Sequence, residues 1–263
     1  MDGSQIKIMS KKLSIVIPAY NEELYLGECI EAVLSCITDN NMNDIEVIVV
    51  NNASTDATEK IAKSYLEVIL VNELKKGLTN ARQAGYLAST GELIANIDAD
   101  TLMAQGWIEK VLAEFENNKK LVALSGPYIY YDKSAIFNTG VWLYYLVGYY
   151  IHLVNQYVFR IGAMLQGGNF VLRRSALEKI GGYNLAVQFY GEDTDIASRI
   201  FKIGDVKFLF TLPMRTSGRR LSQEGVVKTA YKYIINFLSI ILLHKPAKAT
   251  KYSFVGNKID EKK

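Results

Sequence analysis

The chain has 263 residues, of which 49% are hydrophobic and 22% are charged. This balance excludes a disordered or fibrous protein, and the length allows one large domain or two small ones around a sizeable core. Two cysteines, Cys29 and Cys36, are too few for a disulfide framework, and residues 1–12 lack the apolar stretch of a secretory signal. We therefore expect a protein of the reducing cytoplasm.

The net charge of +3 is unevenly distributed along the chain. Residues 201–263 carry 13 Lys and Arg against 4 Asp and Glu, whereas residues 1–200 carry 17 against 23. The basic final quarter indicates either an anionic partner (a membrane surface, a phosphate-bearing ligand or a nucleic acid) or a solvated basic face. No known nucleic-acid-binding pattern accompanies it, so we expect no nucleic-acid partner.

Short apolar runs alternate with segments of helical periodicity over the first half of the chain. Strands are predicted at 13–18, 45–50, 68–71, 93–97 and 121–125. Helices are predicted at 24–37, 56–64, 78–88 and 105–117. Because the strands lack polar alternation and each of the first four is followed by a helix, they are typical of buried parallel strands with helical crossovers. We predict an α/β fold with a mixed, mostly parallel central sheet flanked by helices.

The second half opens on an apolar stretch, because residues 134–159 contain no formally charged side chain. Its length permits a transmembrane helix. Strands at 167–173 and 206–210, a helix at 192–203, a loop at 213–222 and a second apolar segment at 233–243 follow. We predict a tail at 1–12, one domain over 13–222 with an apolar insert at 134–160, and a C-terminal helix with a basic tail at 223–263.

Polar residues follow three of the predicted strands, at 18–22, 51–56 and 98–100. The carboxyl ends of parallel strands meet at one sheet edge, where such folds bind ligands. Asp98 and Asp100 are suited there to a hard divalent cation on a diphosphate; the alternative is a solvated turn or the cap of a helix beginning at Asp100 or Thr101.

A second acidic cluster, residues 192–195, follows Gly191 and indicates a helix N-terminus. Its carboxylates either only stabilise the helix dipole or include a general base facing the same site.

Six segments, in this order and spacing, resemble the inverting family 2 glycosyltransferases of the GT-A fold. The segments are 17–23, 49–56, Lys76-Gly77 with Ala81-Arg82, Gly91-Glu92, Asp98-Ala99-Asp100 and 191–195. The resemblance implies transfer of a sugar from a nucleotide-sugar donor (a UDP- or GDP-sugar) with inversion, assisted by Mg²⁺ or Mn²⁺. The same resemblance also implies roles for individual side chains.

By this resemblance, Asp100 binds the metal, Asp98 faces the ribose and the metal, and Asp193 deprotonates the acceptor hydroxyl with Glu192 beside it. Asn51 stands where the family usually has an acid, which leaves the nucleotide base open. We further expect two arginines of the 213–222 loop to close over the diphosphate. The full set of expected donor-binding residues is Pro18, Ala19, Tyr20, Glu22, Asn51, Lys76, Arg82, Asp98, Ala99, Arg219 and Arg220.

The apolar insert bears on where the reaction takes place. A single span at 134–159 would put Asp98 and Asp193 on opposite sides of a membrane, so the insert is interfacial, re-entrant or a buried helical or dimer surface. Eight of the 17 tyrosines fall within 128–157, and lysines flank 233–243, which favours peripheral membrane association at the cytoplasmic face. A lipid-linked or glycan acceptor follows. The 213–222 region lacks the tryptophan-containing motif of processive members, which favours single addition in cell-envelope or glycolipid synthesis.

Other function classes are disfavoured by the loop after the first strand. A nucleotidyltransferase or a dinucleotide oxidoreductase needs a glycine-rich phosphate loop there, whereas the chain has no glycine between residue 18 and Gly27. The remaining alternative is a non-catalytic module of this fold that binds nucleotide or lipid. The acids at Asp98, Asp100, Glu192 and Asp193 argue against that alternative.

Overall fold

The computed structural model describes residues 11–39, 42–154, 163–187 and 191–225. Most of the predicted N-terminal tail, the end of the apolar insert and the predicted segment at 233–243 lie outside these residues.

A seven-stranded sheet forms the centre of the molecule, and a three-stranded sheet lies beside it. The strands are β1 Leu13–Ala19, β2 Ile45–Asn51, β3 Val68–Asn72, β4 Leu93–Ile97, β5 Thr101–Leu102, β6 Leu121–Ser125, β7 Tyr128–Tyr130, β8 Asn169–Arg173, β9 Asp205–Phe208 and β10 Met214–Thr216. The large sheet has the order β3-β2-β1-β4-β8-β6-β9. Only β8 runs antiparallel to its neighbours in it. The predicted mostly parallel sheet is therefore confirmed.

Helices cover both faces of the large sheet. They are α1 Leu26–Thr38, α2 Thr58–Lys63, α3 Leu78–Ala88, α4 Trp107–Asn117, α5 Ala135–Val154, α6 Arg174–Lys179, α7 Glu192–Ile200 and α8 Arg219–Glu224. Ile15 and Ile17 of β1 pack with α1 and α4, whereas Val16 packs with α3, α6 and α7 on the opposite face. The strand is buried on both faces, which is why its sequence shows no polar alternation.

One alternative and one prediction about the connections are wrong. The chain does not enter a helix at Asp100 or Thr101; residues 99 and 100 form a turn, Thr101 begins β5, and α4 starts only at Trp107. The predicted loop at 213–222 contains β10 and the start of α8. Strands of two or three residues are too short to carry a hydrophobic period, so the sequence gives no sign of the small sheet.

Helix α5 occupies most of the apolar insert and packs by one face only. Trp142 stacks on Phe210 with ring centroids 5.3 Å apart, and Tyr145 stacks on Phe208 at 5.8 Å. Its opposite face is exposed and uncharged, with Leu143, Val147 and Tyr150 each at least 60% accessible. No helix of the described ranges has the length and hydropathy of a membrane span.

The close approach of α3 to the sheet depends on Gly85. A methyl group there would lie 2.3 Å from Cγ1 of Val16 and 3.0 Å from Cγ2 of Val50. We expect Gly85→Ala to lower the free energy of unfolding by about 1–3 kcal/mol in urea titrations, because the stiff valines must move. The matched control is Gly140→Ala on the exposed face of α5, which meets nothing within 4 Å and should raise it by about 0.5–1 kcal/mol. Equal midpoints for the two variants would contradict this packing.

Candidate active site

The loops after β1 and β2 are joined to each other by hydrogen bonds. The backbone N–H of Asn21 donates to Oγ of Ser54 at 3.1 Å, and that of Glu22 donates to Oγ1 of Thr58 at 2.7 Å. Asn21 and Ala53 adopt positive φ values of 53° and 57°. Non-glycine residues held in this region mark loops whose shape is fixed by their surroundings, as is common at functional sites.

Several expected donor-binding residues lie along this part of the edge. The Nδ2 of Asn51 donates to Oδ1 of Asn72 at 2.8 Å, and its Oδ1 accepts from the backbone N–H of Ser54, so its side chain holds the loop together. Lys76 donates to the hydroxyl of Tyr20 at 2.8 Å and lies 4.5 Å from its ring centroid. Three further expected residues, Pro18, Ala19 and Ala99, lie on β1 or directly after β4, and both alanines are buried.

The carboxylate of Asp100 faces α8. Its Oδ2 lies 3.1 Å from Nε of Arg219, whose Nη2 contacts Oε1 of Glu22. The guanidinium also lies 4.5 Å from the ring centroid of Tyr25. Burial raises the pKa of Glu22 to about 7, and the charge of Arg219 opposes this rise. Arg219 is therefore in contact with two expected donor-site acids, while Arg220 beside it is exposed.

The carboxylate of Asp98 faces the opposite way, toward Arg82. The Nη2 of Arg82 lies 3.6 Å from Oδ1 of Asp98, and its Nη1 lies 3.5 Å from Oε1 of Glu192. The Arg82 side chain is 1% exposed and packs over the ring of Phe170 at 5.1 Å. Its guanidinium thus joins the acid after β4 to the acidic cluster of α7.

The acidic pair at the start of α7 is half-buried beside this arginine. Asp193 accepts hydrogen bonds from the backbone N–H of Thr194 at 2.7 Å and from that of Gly167. Burial raises the pKa of both Glu192 and Asp193, and the positive charge of Arg82 opposes the rise. Two distant segments of the chain therefore bring their acids into one cluster, as the sequence predicts.

Two residues of this cluster were missed in the sequence. The hydroxyl of Tyr128 lies 3.0 Å from Oδ2 of Asp98 and 2.7 Å from the carbonyl oxygen of Gly167. Gly168 has φ +86°, and a methyl group on it would lie 2.2 Å from Cγ of Asp98 and from the Tyr128 hydroxyl. The double glycine was a visible signal, but Tyr128 lies on a three-residue strand that gave none.

The donor chemistry of Asp98 and Asp100 suits Mg²⁺ or Mn²⁺, because both ions prefer carboxylate oxygen. Within the described residues, no group of three His, Cys, Asp or Glu side chains is arranged to hold a metal ion. The two aspartates also face different arginines. They fit such an ion only if a ligand supplies further oxygen atoms, as the phosphates of a nucleotide do.

Comparison with known proteins assigns the chain to a family. The family model for glycosyl transferase family 2 matches residues 14–181. The probable glycosyltransferase YdaM of Bacillus subtilis is 24% identical over 202 residues, and glycosyltransferase GlyA of Streptococcus pneumoniae is 25% identical over 134 residues. These alignments cover 73% and 49% of the chain but only 47% and 19% of the two relatives.

Solved structures share the GT-A fold. The mannosyltransferase PcManGT from Pyrobaculum calidifontis, in complex with GDP-Man and Mn²⁺, superposes with a TM-score of 0.67 at 18% identity. The match covers 92% of this chain and 67% of that one. S. aureus TarS 1-349 in complex with UDP gives a TM-score of 0.60 at 15% identity, over 87% of this chain and 71% of that one.

Removing the cation from the buried cluster tests its role in the fold. We expect Arg82→Met to lower the free energy of unfolding by about 3 kcal/mol, because Glu192, which is 9% exposed, loses its cation and Asp98, which is 29% exposed, loses one of its partners. Without Arg82 the folded-state pKa of Glu192 rises further above its unfolded value. The loss should therefore be smaller at pH 5 than at pH 8.

Urea titrations at both pH values measure this difference. Arg215→Met, at an exposed position of β10, is the control and should change the free energy of unfolding by less than about 0.5 kcal/mol. A second change, Glu192→Gln, should restore part of the lost stability in Arg82→Met. Identical losses at pH 5 and pH 8 would argue against the ion pairs as the cause.

Proposed function

Because the chain belongs to glycosyl transferase family 2, we propose that it transfers a sugar from a nucleoside-diphosphate donor to an acceptor, with inversion at the anomeric carbon. The observation that carries this proposal is the Asp98–Arg82–Glu192 cluster, which unites donor-side and acceptor-side acids at one sheet edge. The neighbouring structures with GDP-Man and with UDP support a donor of this class.

The donor side must stabilise a departing nucleoside diphosphate, which gains negative charge as the glycosidic bond breaks. We assign the contacts with this charge to Lys76, Arg219 and Arg220. The carboxylates of Asp98 and Asp100 would hold Mg²⁺ or Mn²⁺. When bound, the ion neutralises charge on the diphosphate. Tyr20, Glu22 and Asn51 border the space for the nucleoside.

The acceptor side needs a base on the face of the sugar opposite the leaving group. Asp193 is suited to this role because burial raises its pKa, which makes its carboxylate a stronger base than an ordinary aspartate. Its hydrogen bonds from Thr194 and Gly167 hold the carboxylate in one orientation. Glu192, held by Arg82, lies beside it as a second negative charge.

The acceptor is proposed to be carried by a lipid, and the reaction to be a single addition at the cytoplasmic face of a membrane. Helix α5 supports this, since its exposed face is uncharged and contains tyrosine, which favours membrane boundaries. Partial burial and then the charge of Asp193 raise the pKa of Tyr144, so α5 passes close to the proposed base. More broadly, the proposed acceptor is a lipid-linked molecule or a glycan used in cell-envelope or glycolipid synthesis.

Donor binding is tested by thermal shift with UDP and GDP, each with and without Mn²⁺. A nucleotide at about 100 times its Kd should stabilise the wild type by about 2.7 kcal/mol. We expect Asp100→Asn to keep the fold and lose the metal-dependent part of this shift. The control is Asp205→Asn at an exposed position of β9, which should match the wild type. A metal-dependent shift retained in full by Asp100→Asn would contradict the metal assignment.

The base is tested by transfer assays. We expect Asp193→Asn to bind donor as the wild type does but to lose transfer by about 10²–10⁴-fold, the range for a positioned base. In the wild type, the rate should rise with pH until the raised pKa of Asp193 is passed, because only the ionised carboxylate accepts a proton. Asp195→Asn, whose carboxylate pairs with Arg199, is the control in the same helix turn. Undiminished turnover in Asp193→Asn would move the base elsewhere.

Membrane association is tested by flotation with anionic lipid vesicles. We expect the wild type to float, and Leu143→Glu combined with Val147→Glu to bind at least about tenfold more weakly, because two apolar contacts become charged. Leu87→Glu on α3, which is 71% exposed on another surface, should leave flotation unchanged. Wild-type protein that stays wholly in the vesicle-free fraction would contradict the proposal.

A further inference from the structure

The donor site already contains a cation of its own. Arg219 contacts Oε1 of Glu22 through Nη2 and Oδ2 of Asp100 through Nε, the latter at 3.1 Å. All three side chains are largely buried, with 18%, 14% and 15% of their surfaces accessible. Two carboxylates in such a place repel each other unless a positive charge lies between them. The Arg219 guanidinium supplies that charge.

We infer that Arg219 is an exchangeable counter-ion of the donor site: it competes with a divalent cation for Asp100 and binds the donor's diphosphate once it has been displaced. This inference rests on the proposed function. The Arg219 guanidinium and a divalent ion are both positively charged, so each one, when it lies at Asp100, weakens the binding of the other. The exchange leaves the net charge of the site unchanged, because the two positive charges of the ion balance the two negative charges of the diphosphate of a nucleotide sugar, which the released guanidinium then contacts.

The backbone around Arg219 is anchored independently of its side chain. The N–H of Gly218 donates to Oδ1 of Asp132 at 2.7 Å, and the hydroxyl of Ser217 donates to Oδ2 of the same residue at 3.0 Å. The backbone N–H of Ser217 also donates to the carbonyl oxygen of Asp100 at 3.2 Å. Exchange therefore requires rotation of one side chain and leaves the start of α8 beside the site.

This arrangement makes opposite predictions for two ligands. For Mn²⁺ alone, Arg219 is a competitor, so Arg219→Ala should bind it about tenfold more tightly if the displaced state is a minor one in the wild type. For UDP or GDP with saturating Mn²⁺, Arg219 is a partner, so the same variant should bind about tenfold more weakly through loss of charge-assisted hydrogen bonds. A purely structural residue would not change the two affinities in opposite directions.

Free Mn²⁺ is measured by electron paramagnetic resonance during titration, and nucleotide binding by calorimetry. Arg219→Gln, which retains more of the side chain, is the second variant and should change both affinities in the same sense as alanine. Arg215→Ala on β10 is the control and should match the wild type in both titrations. Circular dichroism and the melting temperature establish that each variant is folded.

The outcomes separate this inference from the proposed function. If the wild type binds neither UDP nor GDP under any condition, the proposed function fails. If it binds nucleotide but Arg219→Ala binds Mn²⁺ alone no more tightly than the wild type, or shows no saturable Mn²⁺ binding, the counter-ion role is overturned. The role is also overturned if both variants bind the nucleotide with wild-type affinity.

Discussion

The rest of the site depends on one buried guanidinium. Arg82 is 1% exposed and lies between Asp98 and Glu192. A charge so deeply buried is tolerated only when it is paired, and the same holds for Glu192, whose side chain is 9% exposed. The ends of β4 and α7 must therefore stay within reach of α3, and Gly85 permits α3 to lie close enough to the sheet for this. The same close packing of α3 on the sheet is therefore needed both for the core and for the ion pairs of the site.

The two arginines of the site contact different acids and differ in how deeply their side chains are buried. The Arg82 side chain is 1% exposed and contacts Asp98 and Glu192. Arg219 retains 18% of its side-chain surface and serves Asp100 and Glu22 from the start of a short helix. Both side chains carry the same forked set of N–H donors, so the difference between them lies in their accessibility to a substrate, which is greater for Arg219.

The sequence predicts the large sheet well because its strands are long enough to carry a signal. The acids at Asp98, Asp100, Glu192 and Asp193 could be identified from their places after a strand or at a helix start. The partners of these acids could not, since an ion pair between distant segments is decided by the tertiary fold. The small sheet and Tyr128 were missed for a related reason: a strand of three residues has no period to detect.

The reversed direction of β8 has a consequence for the whole edge. Because it runs against β4, with Ile97 opposite Asn169, its first residue lies level with the last residue of its neighbour. The chain that leads into β8 thereby delivers Gly167 and Gly168 to the side where the parallel strands terminate. A uniformly parallel sheet would carry these glycines to the far rim, and Asp98 would face a different neighbour. Because this one strand is inverted, the segment that enters β8 lies at the same sheet edge as the segments that leave β1, β2, β3 and β4.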